Sequence, residues 1–530
     1  MLNMFKVLVS DPISEDGIRA LLDSDQVQVD QKTDLSPEEL KETIPEYDGL
    51  IVRSQTKVTK EILESATNLK VIGRAGVGVD TIDLEAATEH GVIVVNAPNG
   101  NTISTCEHTF AMLMASARNI PQAHKALTEG NWDRKTYKGV ELKGKTLGIV
   151  GMGRIGTEVS KRAKAFQMNV IGYDPFLTEE RASQIGIQKG DLDEIYENAD
   201  FITVHTPLIK ETHHLIDKSA FQKMKKGVRI VNCARGGIID ETALLEAIDE
   251  GIVARAALDV FEEEPPTDNP LVGKPEVIVT PHLGASTSEA QLYVAEDVSQ
   301  EILNILSDQP FQNAVNMPAV NDETRKILEP YYLLSEKLGE MMIQLAKQPP
   351  RHIKISYAGT LTDFNTELVT RTFVKGLLSH YLGEKVNIVN ATHLAKQYGL
   401  SYSVENTTAS LGYSGLISVT LTTDEGEYSA AGTLFDGLGP RIVHVNQYTI
   451  DIAPTDRLLY IQHTDVPGII GHVGSLLGKH EINIATMQVG RKQVGGQAIM
   501  MLTIDKALSE EVLGELLQVG HIHSAKNIDL

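Results

Sequence analysis

Cysteine is nearly missing from this chain: 530 residues hold only Cys106 and Cys233. A disulfide framework is therefore excluded, and a reducing compartment, the cytoplasm, is the expected location. Positive charge is also short, with 48 Lys and Arg against 71 Asp and Glu and a net charge of −23. A phosphate backbone would be repelled over most of such a surface, which argues against a nucleic-acid partner. No apolar run approaches the roughly 20 residues of a membrane-spanning helix; the run around Phe110 to Ala117 is far shorter. The N-terminus, Met-Leu-Asn-Met-Phe-Lys-Val-Leu-Val-Ser, turns polar too soon to read as a signal peptide.

What is present is an ordinary globular composition, 42% hydrophobic and 22% charged, so disorder is excluded as well. The length predicts three or four domains. Apolar runs at Lys6–Ser10, Gly49–Val52, Leu69–Arg74 and Val92–Val95 alternate with helix-like segments such as Ser14–Leu22, Ser36–Thr43 and Asp83–His90. That alternation predicts a parallel sheet covered by helices. After a helical segment at Ser104–Ala117, a second α/β series runs from Lys145 to about Thr280. A long amphipathic helix follows at Glu289–Ser307, and Asp308–Pro318 reads as a linker. From about 320 to 450 the chain is helix-rich and then Thr/Ser/Gly-rich. There Arg441 and His444 share a strand that reads as a solvated face rather than an anion site. After Pro454 the pattern is strand, helix, strand, strand, helix, strand, the ferredoxin-like order.

The first chemical signal follows the apolar run Thr146–Val150: Gly151-Met-Gly153-Arg-Ile-Gly156, with a helix pattern over Thr157–Phe166. Gly151 permits a tight turn, Gly153 a close approach to a pyrophosphate, and Gly156 close helix–strand packing. The helix N-terminus then faces the phosphates. Asp174 closes the next apolar run, 18 residues past Gly156. A carboxylate there accepts from a ribose 2′-hydroxyl and repels a 2′-phosphate, so the expected cofactor is NAD rather than NADP.

Three later stretches each end an apolar run, where a parallel sheet places its ligands. They are Val231-Asn-Cys-Ala-Arg235-Gly-Gly, Ala257-Leu-Asp259-Val-Phe-Glu-Glu-Glu264-Pro-Pro and Val279-Thr-Pro-His282-Leu-Gly-Ala-Ser-Thr287. Singly, each charged residue could be an ordinary surface group. Together and in this order, over residues 4–310, the chain resembles the D-specific 2-hydroxyacid dehydrogenase family. The resemblance implies that Arg235, Glu264 and His282 act together. An imidazole suits removal of a hydroxyl proton, a neighbouring carboxylate orients it and stabilises its protonated form, and a guanidinium fork binds the substrate carboxylate. It places Gly151, Gly153, Arg154, Ile155, Gly156, Asp174, Thr206, Cys233, Ala234, Asp259, Gly284 and Ala285 at the cofactor. No metal is expected.

Within the family, Gly49-Leu-Ile-Val-Arg53-Ser54, Gly73-Arg74-Ala-Gly-Val-Gly-Val-Asp80 and Asn96-Ala-Pro-Asn99-Gly100-Asn101 resemble the motifs of members that oxidise 3-phospho-D-glycerate to 3-phosphohydroxypyruvate, the first step of L-serine biosynthesis. Such a substrate carries about three negative charges, the phosphate having a second pKa near 6. Arg53, Arg74 and Arg134, with Ser54, Asn99 and Gly100, are the candidate substrate contacts. Val77 departs from the motif, which often has a hydroxyl residue there, so Val77 reads as packing. The alternatives are a dehydrogenase for another small D-2-hydroxy acid and an NAD-sensing scaffold; the intact Arg235–Glu264–His282 set speaks against the scaffold.

Asp465-Val-Pro-Gly468 with Ile482-Asn483 resembles the amino-acid-binding ACT domain. The resemblance implies His463, Asp465 and Asn483 as contacts for an effector, L-serine in this setting; the alternative is a module that serves assembly alone. The expected fold class is thus α/β: a Rossmann-type dinucleotide domain (99–285) plus a flavodoxin-like substrate domain (1–98 and 286–310), with an α+β intervening domain (318–452) and a C-terminal ferredoxin-like ACT domain (455–530). A homodimer or homotetramer is expected.

Overall fold

A computed structural model describes residues 4–318, 320–346 and 348–530; the first three residues of the N-terminal stretch, Ala319 and Lys347 lie outside the described residues. The first sheet has five parallel strands in the spatial order Val27–Gln31, Phe5–Val9, Gly49–Val52, Val71–Arg74, Ile93–Asn96. In chain order that is 2-1-3-4-5, the flavodoxin-like arrangement. Its central strands are covered on both faces, which explains why they read as unbroken apolar runs instead of alternating ones. The helix Ser288–Leu306 returns from far along the chain to pack on this sheet. It comes so close that a Cβ on Gly73 would lie 2.2 Å from a Val298 methyl. The glycine before Arg74 is therefore a packing requirement.

The second sheet has seven parallel strands, in the order Gln188–Lys189, Asn169–Tyr173, Thr146–Val150, Phe201–Val204, Val228–Asn232, Val253–Leu258, Val277–Val279. The order reverses between Thr146–Val150 and Phe201–Val204, a topological switch point of the Rossmann type, where a crevice opens at the carboxyl ends of the strands. The helix Thr102–Arg118 packs on this sheet, burying Cys106, Thr109, Leu113 and Ala117.

The rest of the chain holds two further sheets. Six strands between His352 and Ile452 carry the long helices Asp322–Leu345 and Glu367–Leu382 on one face. The final unit is a four-stranded antiparallel sheet, ordered Ile484–Arg491, Gln497–Ile504, Arg457–Thr464, Ile522–Asp529, with the helices Ile469–Lys479 and Glu510–Gln518 on one side. Its other side is not free. Leu458, Tyr460, Ile499, Met501 and Ile528 join one core with Leu345, Tyr448 and Ile450 of the preceding unit.

The segment read as a linker is not free either: Val315 N–H donates to Val94 O, Asn96 N–H to Asn313 O, and Val94 N–H to Asn316 Oδ1. This corrects the reading of Asp308–Pro318, because a polar segment laid against an unpaired sheet edge satisfies backbone groups that would otherwise lack partners.

Candidate active site

At the switch point the three glycines separate into three roles. Gly151 sits at φ +99°, and a Cβ there would meet His205 O at 2.6 Å. A Cβ on Gly156 would lie 2.1 Å from Gly151 O, while one on Gly153 would meet nothing within 4 Å. The first and third thus close the turn, and the second leaves the open space that a pyrophosphate needs. The helix begins at Arg154, three residues earlier than its sequence pattern suggests, because Gly156 packs as part of the first turn rather than preceding it. Arg154 donates to Pro98 O at 3.4 Å, and Ile155 is partly buried.

Asp174 accepts from Met152 N–H at 3.0 Å and Phe176 N–H at 2.9 Å. It therefore braces the glycine turn, with lone pairs left over for a diol. The Thr206 hydroxyl is buried without a partner among the described residues. An open glycine cradle and an orphaned hydroxyl beside it fit a dinucleotide. Asp174→Asn removes the charge and keeps one acceptor oxygen, which can serve Met152 N–H or Phe176 N–H but not both. The preference for NAD over NADP is expected to fall about 10- to 100-fold, the size of one to two hydrogen bonds to a charged group. Ratios of kcat/KM with the two cofactors measure this, and an unchanged ratio would remove the role given to Asp174.

Facing the crevice, three guanidinium groups converge. Arg74 is largely buried, and its pKa is pushed down to about 10 by burial and by the like charges of Arg235 and Arg53. Its Nε has no hydrogen-bond partner among the described residues. The sequence motif around it gains a meaning that spacing alone did not reveal. A Cβ on Gly76 would fall 1.3 Å from Arg74 Nη1, and one on Gly78 would fall 2.0 Å from Arg235 Nη2. The two glycines are the space into which the two guanidinium groups fold. Arg235 Nε pairs with Asp80 at 3.2 Å across the two sheets. Arg53 donates to Pro12 O at 3.3 Å, and its backbone N–H is held by the buried Asp11. Ser54 and Asn99 are exposed, and Gly100 packs against the backbone of Val294. Arg134 is exposed, and it is not among the charges that act on Arg74; a single chain does not bring it into the cluster.

His282 Nδ1 donates to Glu264 Oε2 at 2.8 Å, and the other oxygen of Glu264 accepts from Phe261 N–H at 3.1 Å. Burial tends to raise the Glu264 carboxyl, but the hydrogen bond and charge of His282 and the Phe261 N–H hold it below the ordinary carboxylate range. The pair borders a cavity of about 310 Å³ whose other walls are largely apolar, Pro265, Pro281 and Val272 among them. The Arg235 loop abuts the same region: a Cβ on Gly236 would lie 1.8 Å from Phe261 O. Cys233 and Ala234 lie on this loop, with Ala234 N–H donating to Asn232 Oδ1 at 3.0 Å. Ala285 follows Gly284 in the His282 loop and is partly buried.

Asp259 is fully buried and accepts from Thr280 Oγ1 at 2.6 Å, Leu283 N–H at 2.7 Å and Gly284 N–H at 2.8 Å, with His108 Nε2 at 3.1 Å. His108, Cys233 and Asp259 bring a nitrogen, a sulfur and an oxygen within 4.8 Å of one another, the donor types of a metal site. However, the carboxylate is committed to these hydrogen bonds, and burial pushes the Cys233 thiol up, keeping it protonated. The group is a hydrogen-bonded cluster.

Comparison with known proteins completes the picture. Residues 110–284 match the D-isomer specific 2-hydroxyacid dehydrogenase NAD-binding domain, 327–446 the D-3-phosphoglycerate dehydrogenase intervening domain, and 457–521 the ACT domain. The D-3-phosphoglycerate dehydrogenase of Bacillus subtilis (strain 168) is 51% identical over 527 residues, covering 99% of this chain and 100% of the relative. The chain belongs to the D-3-phosphoglycerate dehydrogenases. The enzyme of that description from Methanocaldococcus jannaschii is 47% identical over 528 residues, again covering 99% of this chain and 100% of the relative. Among solved structures, the NAD-dependent formate dehydrogenase from Staphylococcus aureus in complex with NAD is 30% identical with a TM-score of 0.53, covering 59% of this chain and 100% of that one. That likeness shows that part of the chain shares its fold with a dehydrogenase of another description.

In the terminal unit the expected effector residues have separate surroundings. His463 is fully buried with Nδ1 on Thr464 O at 2.9 Å and Nε2 unpartnered, Asp465 is paired with Arg491 at 2.8 Å, and Asn483 is exposed. No hydrogen bond among the described residues joins the three. Arg491, which no motif marks in the sequence, lies at the end of the strand Ile484–Arg491, one strand removed from Arg457–Thr464. Arg441 is partly exposed and not open to an anion: its Nε pairs with Asp451 at 2.6 Å on the adjoining strand. Among the described residues no helix is long and apolar enough to cross a membrane.

Proposed function

We propose that this chain catalyses the NAD-dependent oxidation of 3-phospho-D-glycerate to 3-phosphohydroxypyruvate, with residues 1–98 and 286–310 binding the substrate and 99–285 the cofactor. The observation that carries the reading is the convergence of Arg53, Arg74 and Arg235: at Arg74, burial and the two like charges outweigh the nearby Asp80 and Asp11, an imbalance that a bound anion offsets. A monoanionic hydroxy acid would not need three cations; a phosphorylated one does.

In this scheme Arg235 holds the carboxylate with its planar fork, and Arg53 and Arg74 hold the phosphate. Glu264 is an acceptor only, so Nδ1 of His282 carries the proton and Nε2 keeps its lone pair. Nε2 then takes the C2 hydroxyl proton as C2 gives up its hydride, and Glu264 stabilises the imidazolium that forms. Bound NAD supplies the hydride acceptor. NADH formation with 3-phosphoglycerate, compared with D-lactate and D-glycerate, tests the substrate assignment. A preference for either unphosphorylated acid would overturn it.

The proposal extends to control: 455–530 is an effector module resting on the intervening unit (318–452), and L-serine is its ligand. Asp465, just before the helix N-terminus at Gly468, which has φ +92°, offers an acceptor to an ammonium group; Asn483 stands at the opposite end of that helix, where its carbonyl takes Asp505 N–H, so the two meet one ligand only from two copies of the chain. Truncation after Pro454 is a poor test, because it would uncover Tyr448, Ile450 and Ile452. In the full chain, Asn483→Ala is expected to raise the serine concentration needed for half-inhibition while leaving turnover without serine unchanged. A coupling of about 1–3 kcal/mol corresponds to a several-fold to hundred-fold effect. Absence of serine binding by calorimetry would remove the ligand assignment.

A further inference from the structure

We infer that His108 is a positioning residue for the acid–base histidine, acting through Asp259. The inference rests on the reading of His282 as the base and goes beyond the Arg–Glu–His set. His108 lies on the helix Thr102–Arg118, more than 150 residues before Thr280 and His282, yet its Nε2 is 3.2 Å from Thr280 Oγ1 and 3.1 Å from Asp259 Oδ1.

The direction of these bonds follows from counting protons. The Thr280 hydroxyl has one, and it goes to Asp259 at 2.6 Å. Its oxygen must therefore accept from His108, and the carboxylate can only accept. His108 Nε2 thus carries a hydrogen, shared between the two oxygens. Burial works to protonate Asp259, but the hydrogen bonds from His108, Thr280 and Leu283 N–H more than offset it and keep the carboxylate ionised.

Asp259 spends that charge on the loop that carries the base. Its two oxygens take Leu283 N–H and Gly284 N–H, and its backbone carbonyl takes His282 N–H at 2.9 Å. His282 sits between these anchors at φ +54°, in the left-handed region. A side chain larger than glycine stays there only when its surroundings over-determine the backbone. The backbone of Asp259 is tied in turn to Asn232, which accepts from Asp259 N–H and donates to Arg235 O at 2.9 Å. The buried carboxylate therefore fixes the loop of the proton acceptor, and the backbone of the same residue joins it to the loop of the carboxylate-binding arginine. His108 is what holds it from behind.

The test compares H108L, which cannot donate, with H108Q, whose amide nitrogen reaches about as far as Nε2 and can. In the full chain with 3-phosphoglycerate and NAD, H108L is expected to lose about tenfold in kcat with little change in either KM, as misplacement of a reacting group does. The deuterium isotope effect at C2 should rise as chemistry becomes limiting, and H108Q should recover most of the rate. A kcat unchanged in H108L would overturn the inference. So would a fall that H108Q does not restore and that leaves the isotope effect where it was, since that pattern marks a structural role. Should H108L fail to fold, H108M, which likewise cannot donate to Asp259 or Thr280, takes its place and must show the same rise in isotope effect. Failure of the unaltered chain to oxidise 3-phosphoglycerate would overturn the substrate reading, whereas a fully active H108L would overturn this one alone.

Discussion

His282→Ala is expected to lower kcat by about 10²- to 10⁴-fold, the usual contribution of a positioned acid–base group, while NAD binding followed by fluorescence titration stays intact. The separation follows from the geometry. His282 is bonded to Glu264 and anchored by Asp259, whereas the glycine turn and Asp174 sit on other strands. Removing the imidazole takes away the one lone pair aimed at a departing proton and also leaves Glu264 without the partner that offsets its burial. A fall of less than tenfold would mean that the proton is taken elsewhere. Loss of NAD affinity on the same scale would mean that the loop, not the base, had been damaged.

Arg74→Ala is expected to reduce kcat/KM for 3-phosphoglycerate by about 10- to 100-fold, the size of a hydrogen bond or two to a charged group, and to do so selectively. An unphosphorylated 2-hydroxy acid, which needs only the carboxylate contact of Arg235, should be affected far less. Two features make Arg74 the sharper choice over Arg53: it is largely buried, and its Nε has no partner among the described residues. Burying a guanidinium beside two others is unfavourable, and that state makes physical sense as a site held ready for an anion. Equal losses with both substrates would show that Arg74 serves the fold, through its packing over Gly76, and not the phosphate.

His282 and Arg74 differ from His108 in how far the sequence reveals them. Both residues stood out in the chain because they belong to short motifs at the ends of apolar runs. His108 did not stand out, since a histidine on an apolar helix face is ordinary and its partners lie over 150 residues away. Asp259 was seen, but as a cofactor contact; its hydrogen bonds to Leu283 and Gly284 show a second task that no spacing reveals. Gly76 and Gly78 were read as part of a motif, and only the coordinates show that each glycine is the space another residue's guanidinium occupies.

What the sequence by itself determined was local. The glycine turn, the acid that follows it, the strand–helix alternation and the βαββαβ pattern each depend on residues within a few turns of one another, where periodicity, φ preference and charge act directly. The tertiary structure decided what depends on distance through space. It brought Arg53, Arg74 and Arg235 from three separate segments into mutual repulsion, set His108 behind the catalytic loop, laid the segment read as a linker on a sheet edge, and fused one face of the terminal sheet into the core of its neighbour. Electrostatic and packing energies fall off with separation in space and take no account of separation along the chain, so these arrangements leave no periodic or compositional trace in the sequence.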